Sequence, residues 1–274
     1  MIRRVLSTAA TEFRIALRNR WVAIATVLMI VFALVLAAAG AAPTGDIGID
    51  RLSVLVASLT SLAVYLVPLL ALLMSFDAVA GEVERGTLAL LLSYPVARAE
   101  ILAGKLLAHV AILALAVTLG YGAAACALIW VDPAALTGVP ALVRLIWTSI
   151  LLGAIFLGLG YALSALARRP SGAAGLAIGL WLLAVVLYDL GLLALIVSDS
   201  GGSLTLRFLP PLLLANPADA FRLFNLAASD AAGAASGIAG AAASIPLWQS
   251  GLSLALWPLA ALAIAIAAFR KVTP

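Results

Sequence analysis

The chain has 274 residues, of which 65% are hydrophobic and 10% charged, with a net charge of +4. Soluble globular domains carry about 25% charged residues, so this composition cannot cover a water-facing surface and reads as a polytopic membrane protein. The apolar content excludes intrinsic disorder, and the single cysteine, Cys126, excludes a disulfide scaffold.

In chain order, residues 1–20 predict an amphipathic interfacial helix. Ile2, Val5, Leu6, Ala9, Phe13, Ala16 and Leu17 form its apolar stripe, and Arg3, Arg4, Ser7, Thr11, Arg14 and Arg18 its polar face. Such a basic helix lies along the inner leaflet, as an anchor or as a docking surface for a cytoplasmic partner. Six apolar stretches follow, at 21–42, 52–76, 106–131, 145–167, 173–197 and 251–269. About 20 helical residues cross a hydrocarbon core. The runs are continuous, without two-residue alternation, so the predicted fold class is all-α: one transmembrane domain of six helices. The first span ends in Ala37-Ala38-Ala39-Gly40-Ala41 like a signal-peptidase site, but its run exceeds the about 7–15 residues of a signal core and reads as an uncleaved anchor. Pro68 and Pro258 predict kinks in the second and sixth spans.

Charge sets the orientation. With the N-terminus inside, the outer segments keep only Arg51, Arg144, Arg207 and Arg222, while every other arginine and lysine is cytoplasmic. This satisfies the positive-inside rule and puts both termini in the cytoplasm. Trp130, Trp147 and Trp248 then fall at the outer boundary and Trp21 at the inner one.

The cytoplasmic segment 77–105 breaks the basic pattern with Asp77, Glu82, Glu84 and Glu100. Gly86-Thr87 predicts the end of one helix and the start of another, and Pro95 ends a short apolar helix over 87–93. A short helix across the ends of the spans, flanked by Glu82, Glu84, Arg85, Arg98 and Lys105, suits a soluble partner's grip. The outer segment 198–250 contains Asn216-Pro217-Ala218-Asp219, a cap, a first-turn proline and a dipole-matched acid, so an apolar helix starts there. Residues 231–243 are almost entirely Ala, Gly and Ser, open to a linker, a close-packed helix or a re-entrant piece.

Chemistry-bearing residues are sparse. His109 is the only histidine and reads as a solvated residue at the cytoplasmic boundary, and Cys126 as a small core residue. There is no phosphate-binding loop motif, so any ATP binds to another chain. Soft metals need thiolate, thioether or imidazole ligands, and Met1, Met29 and Met74 show no paired spacing. No catalytic residue, metal ligand, cofactor or nucleic-acid site is expected. Asp189 is the one acid inside a span, in its outer third; it serves either a structural hydrogen bond, satisfied by water or Arg207, or a gate. Gly175-x-x-x-Gly179 on the same helix permits close helix contact.

The pattern Glu82-x-Glu84-x-Gly86-Thr87, leucines, Pro95, Arg98 and Gly104-Lys105 resembles the cytoplasmic signature between the second and third helices of ABC type-2 permeases. The interfacial helix, six spans and long last outer loop resemble that family too. Arg18-Asn19-Arg20-Trp21, Tyr94-Pro95 and Leu214 to Asp219 with Arg222-Leu223 look closest to its members that serve copper–sulfide centre assembly in nitrous-oxide reductase. The resemblance implies a non-catalytic bacterial inner-membrane subunit that pairs with a second copy, two cytoplasmic ATPases and a β-helical periplasmic protein. Glu82, Glu84, Arg85, Gly86, Thr87, Pro95, Arg98 and Lys105 would form the ATPase-coupling element. Asn216, Asp219 and Arg222 would face the periplasmic partner. The residues alone leave two alternatives open, a self-sufficient secondary transporter and a scaffold that anchors a periplasmic protein.

Overall fold

The computed structural model describes residues 2–17, 20–40, 51–93, 96–167, 169–199, 202–226 and 245–272. Arg18, Asn19, Tyr94, Pro95, Arg168 and the stretch 231–243 lie outside the described residues, as does the side chain of Trp21. Every regular element among the described residues is helical. In order they are α1 (Ile2–Leu17), α2 (Arg20–Gly40), α3 (Arg51–Ser75), the short α4 (Ala80–Glu84) and α5 (Thr87–Ser93), and α6 (Arg98–Val131). A 3₁₀ turn (Pro133–Gly138) leads to α7 (Val139–Leu166). Then come α8 (Pro170–Trp181), a π-turn (Leu182–Leu187) running straight into α9 (Tyr188–Asp199), α10 (Ser203–Ala215), α11 (Pro217–Leu226) and α12 (Leu247–Arg270).

Among the described residues, five stretches are long and apolar enough to cross a membrane: Arg51–Glu84, Arg98–Val131, Pro133–Leu166, Pro170–Asp199 and Leu247–Arg270. They carry the second to sixth expected spans. The first falls on α2, a 21-residue helix. Helix α6 starts at Arg98, so residues 98–105, expected as loop, are the first turns of a long helix. Its start is set by Glu100, whose carboxylate accepts the Ala97 N–H at 3.0 Å. That satisfies one of the backbone donors a helix N-terminus leaves free.

Helix α7 is central, packed along α12 and α3 and against α6. Glycines let it. A Cβ on Gly158 would sit 3.0 Å from the Ala261 Cβ and 3.2 Å from its carbonyl carbon, and one on Gly160 would run into the Ser75 hydroxyl. Around these contacts lie fully buried Leu52, Leu59, Leu145, Leu152, Phe156 and Leu254. Gly175 and Gly179 meet nothing within 4 Å inside the chain, where the close crossings are made by the α7 glycines. Cys126 is exposed on α6, not in the core. Helix α3 continues through Pro68, and near the interruption the carbonyl of Tyr65 accepts from Trp181 Nε1 at 3.0 Å.

Satellite clusters close the two ends. Val79, Leu88, Leu102, Tyr161 and Phe269 pack beneath α4 and α5. Leu192, Leu209, Leu213 and Leu223 join α9, α10 and α11 at the opposite end.

Candidate functional site

The α4–α5 elbow is held by its neighbours on every side. Ser164 Oγ, at the end of α7, accepts the amide N–H groups of Val79 and Ala80, both at 3.0 Å. Gly86 has φ 71°, a left-handed conformation that glycine adopts without penalty, and it turns the chain from α4 into α5. Thr87 Oγ1 donates to the Glu82 carbonyl at 3.3 Å. Leu88 points inward and is fully buried. Glu84, Arg85, Thr87 and Ala89 face outward, and Leu90 is 67% exposed. Arg85 spans back to Asp77 at 3.3 Å.

Behind this exposed ridge the charges are spent inside the chain. Lys105 Nζ lies 2.6 Å from Glu82 Oε1 and 2.7 Å from Glu12 Oε1, with only 6% of the lysine side chain exposed. One ammonium therefore ties α1, α4 and α6 together. Gly104 makes the crossing possible, since a Cβ there would meet Thr8 Cβ at 2.7 Å and the Val5 carbonyl oxygen at 3.0 Å. Arg98 Nη1 donates to the carbonyls of Phe269, Arg270 and Val272 at 3.2, 3.2 and 2.6 Å. It thereby caps the C-terminal end of α12 with charge of the favoured sign. His109 is half-buried rather than freely solvated, its Nδ1 2.6 Å from the Tyr161 hydroxyl.

The sequence-predicted residues thus divide. Glu84, Arg85, Gly86 and Thr87 form an outward ridge, Glu82 and Lys105 hold the ridge in place from within, and Arg98 ties α6 to the end of α12. Pro95 lies outside the described residues. Sequence reasoning missed Glu12 and Ser164. Glu12 carried a signal: it stands on the same helical face as Val5, Ala9 and Ala16, where an acid has no reason to be unless a cation covers it. Ser164 carried none, being a small polar residue at the end of an apolar helix.

At the opposite end α11 is docked by a second polar cluster. Asn216 Oδ1 accepts the Ala218 N–H at 3.0 Å, capping α11 as its spacing predicts. Its Nδ2 donates to the Ala184 carbonyl in the π-turn at 2.7 Å. Arg222 reaches Asp189 Oδ2 at 2.9 Å and Asp219 Oδ1 at 3.2 Å. Asp189 is therefore paired with Arg222 rather than with Arg207, whose guanidinium lies 5.5 Å from the Phe208 ring centre. Asn216 and Asp219, expected to face a partner, are 5% and 1% exposed and turn inward. Burial, reinforced by the Asp189 charge and opposed by Arg222, pushes the Asp219 carboxyl up to about 7.

The sequence from residue 6 to 272 matches the family model described as ABC-2 family transporter protein. The chain is 47% identical over 273 residues to the probable ABC transporter permease protein NosY of Pseudomonas aeruginosa, covering 97% of this chain and 98% of that protein. It is 43% identical over 271 residues to the probable ABC transporter permease protein NosY of Stutzerimonas stutzeri, with 97% and 98% covered.

Proposed function

The chain belongs to the ABC-2 transporter family as a multi-pass permease subunit of the bacterial inner membrane, and from that premise we propose that a separate cytoplasmic ATPase drives its helices by pushing on the α4–α5 elbow. The observation that carries this reading is the division of labour at the elbow. An exposed ridge of Glu84, Arg85, Thr87 and Leu90 offers a partner both charge and apolar area, while Ser164 binds the same short helices to α7, the Leu88 cluster to α12, and Glu82 through Lys105 to α6 and α1. Force applied to the ridge passes into four long helices without bending the elbow.

The remaining topology follows from charge. Arg3, Arg4, Arg14, Arg85, Arg98, Lys105, Arg169, Arg270 and Lys271 gather at the elbow end, which makes that end cytoplasmic, with α2 as the first of six spans and both termini inside. A second copy completes the transport unit, and two ATPases of the NosF kind bind beneath it. A NosD-like β-helical protein sits on the α10–α11 side. Likeness to the NosY proteins supports a role in building the copper–sulfide centre of nitrous-oxide reductase, by export of a sulfur species or by force transmitted to the periplasmic partner.

Co-purification from mild detergent with the cognate ATPase tests the elbow. Glu84→Arg reverses the charge of an exposed residue with no internal partner; rim charges of this kind set encounter and register more than folding. We expect normal membrane insertion with clear loss of ATPase capture and of stimulated hydrolysis. Capture and stimulation equal to the native chain would remove the ridge from the contact.

A further inference from the structure

The cluster that docks α11 has an unbalanced account of protons. Two carboxylates, Asp189 and Asp219, face one guanidinium, Arg222, and Arg222 bonds to both. Both oxygens of Asp189 are used by the Arg222 fork, at 3.4 and 2.9 Å. One oxygen of Asp219 is used as well, but Oδ2 is buried with no hydrogen-bond partner, in a residue 1% exposed. The two carboxyl groups meet on one nitrogen, Arg222 Nη1, which reaches Asp189 Oδ1 at 3.4 Å and Asp219 Oδ1 at 3.2 Å. A carboxylate oxygen can only accept, and so can its neighbour, so two ionised acids here would leave an acceptor unsatisfied and a net negative charge out of water. A single added proton removes both faults.

We propose that Asp219 holds one proton and donates it to Asp189, and that this proton is the ligand that locks α11 onto the helix running from Pro170 to Asp199. With it, the cluster is neutral and Asp219 becomes a donor to Asp189. Without it, the buried negative charge weakens the dock, leaving the Asn216 bond to Ala184 as the remaining polar tie to the π-turn.

The other groups facing the pair do not supply the missing proton at neutral pH. Tyr188 stands beside Asp219 on α9 and gives its hydroxyl hydrogen to the Leu212 carbonyl at 2.7 Å. Tyr65 of α3 faces Arg222. Helix α7 brings Thr148, joined at 3.0 Å to Asn225 of α11 as a neutral pair, and Arg144, whose Nε and Nη2 make no hydrogen bond. Helix α12 contributes the Ser253 hydroxyl, given to the Leu214 carbonyl at 2.6 Å. The proposal rests on this side-chain geometry and not on the coupling role of the elbow.

The sign is fixed by linkage. A carboxyl held up to about 7 in the fold contributes stability that is complete below its ordinary value of 3.8 and is lost as the pH rises through about 7. The full-length chain in detergent micelles is compared with Asp219→Asn and Asp189→Asn, reading thermal unfolding and the infrared carbonyl band of protonated carboxyl groups as pH is raised from about 5 to about 8.5. We expect a native band that bleaches near neutrality together with a falling Tm. Either asparagine variant should remove that band and flatten the Tm profile. A native chain with no such band, or variants that keep it, would overturn the proton on Asp219. The infrared reading on either variant suffices if the other fails to fold.

Discussion

Lys105 is a cation placed between two acids, almost without water. Removing one partner of a buried pair leaves the other charge uncompensated and costs about 3–5 kcal/mol, whereas replacing the whole set by apolar or neutral groups is often close to neutral. Lys105→Met should therefore destabilise the chain strongly in denaturation of the solubilised protein and detach α1 from α6. The triple change Glu12→Gln, Glu82→Gln, Lys105→Met should recover most of that loss; a triple variant as unstable as the single one would mean that the lysine acts by packing rather than charge. The lysine and Glu82 were legible in the sequence as parts of one loop, but their mutual contact was not. Nothing in linear spacing says that residues 12 and 82 both close on residue 105. The same holds for Asp189, where the sequence offers two arginines on the outer segment and only the docking of α11 selects Arg222 over Arg207.

Elements whose ends are written locally were legible, and those ended by distant groups were not. The helix over Thr87–Ser93 follows from Gly86-Thr87, and α11 follows from Asn216-Pro217. Helix α10 does not follow from anything nearby, because Pro210-Pro211 reads as a break. Its last carbonyls are taken by hydroxyls from elsewhere, Tyr188 on Leu212 and Ser253 on Leu214. Spacing is one-dimensional, and only packing shows that, within the chain, α7 rather than α8 is crossed closely. Gly158→Val would press a branched side chain onto the backbone of α12, and overpacking of this kind costs about 1–3 kcal/mol. We expect a lowered Tm for Gly158→Val and no measurable change for Gly179→Ala, which meets open space. Equal effects at both positions would contradict the central place of α7.

At the scale of the whole molecule, the helices are not equally enclosed. In the most apolar window of Pro170–Asp199 only 11% of residues are buried inside the chain, against 56% for Pro133–Leu166. Leu176, Ile178, Leu183, Leu190 and Leu193 are exposed along it, with Gly175 and Gly179 between them. Small residues beside such a face let two helices approach closely in lipid, so it is the face we expect the second copy of the proposed dimer to cover. With Cys126 changed to serine, a single cysteine at Gly175 should give a disulfide-linked dimer on mild oxidation in native membranes, while one at exposed Leu119 should not; the reverse pattern would move the interface to α6.

The π-turn from Leu182 to Leu187 has a consequence for this arrangement. Each helical residue advances the azimuth by about 100°, and a π-turn inserts surplus length without ending the helix. Leu182–Leu187 therefore acts as a phase shifter between the inner half of the helix, which presents Ala173 and Ala177 to the bundle, and the outer half, which presents Asp189 and Leu192. Moving the surplus residue along the helix would swivel one half against the other like a vernier. Asp189 would leave Arg222 while every hydrogen-bonded turn stayed closed.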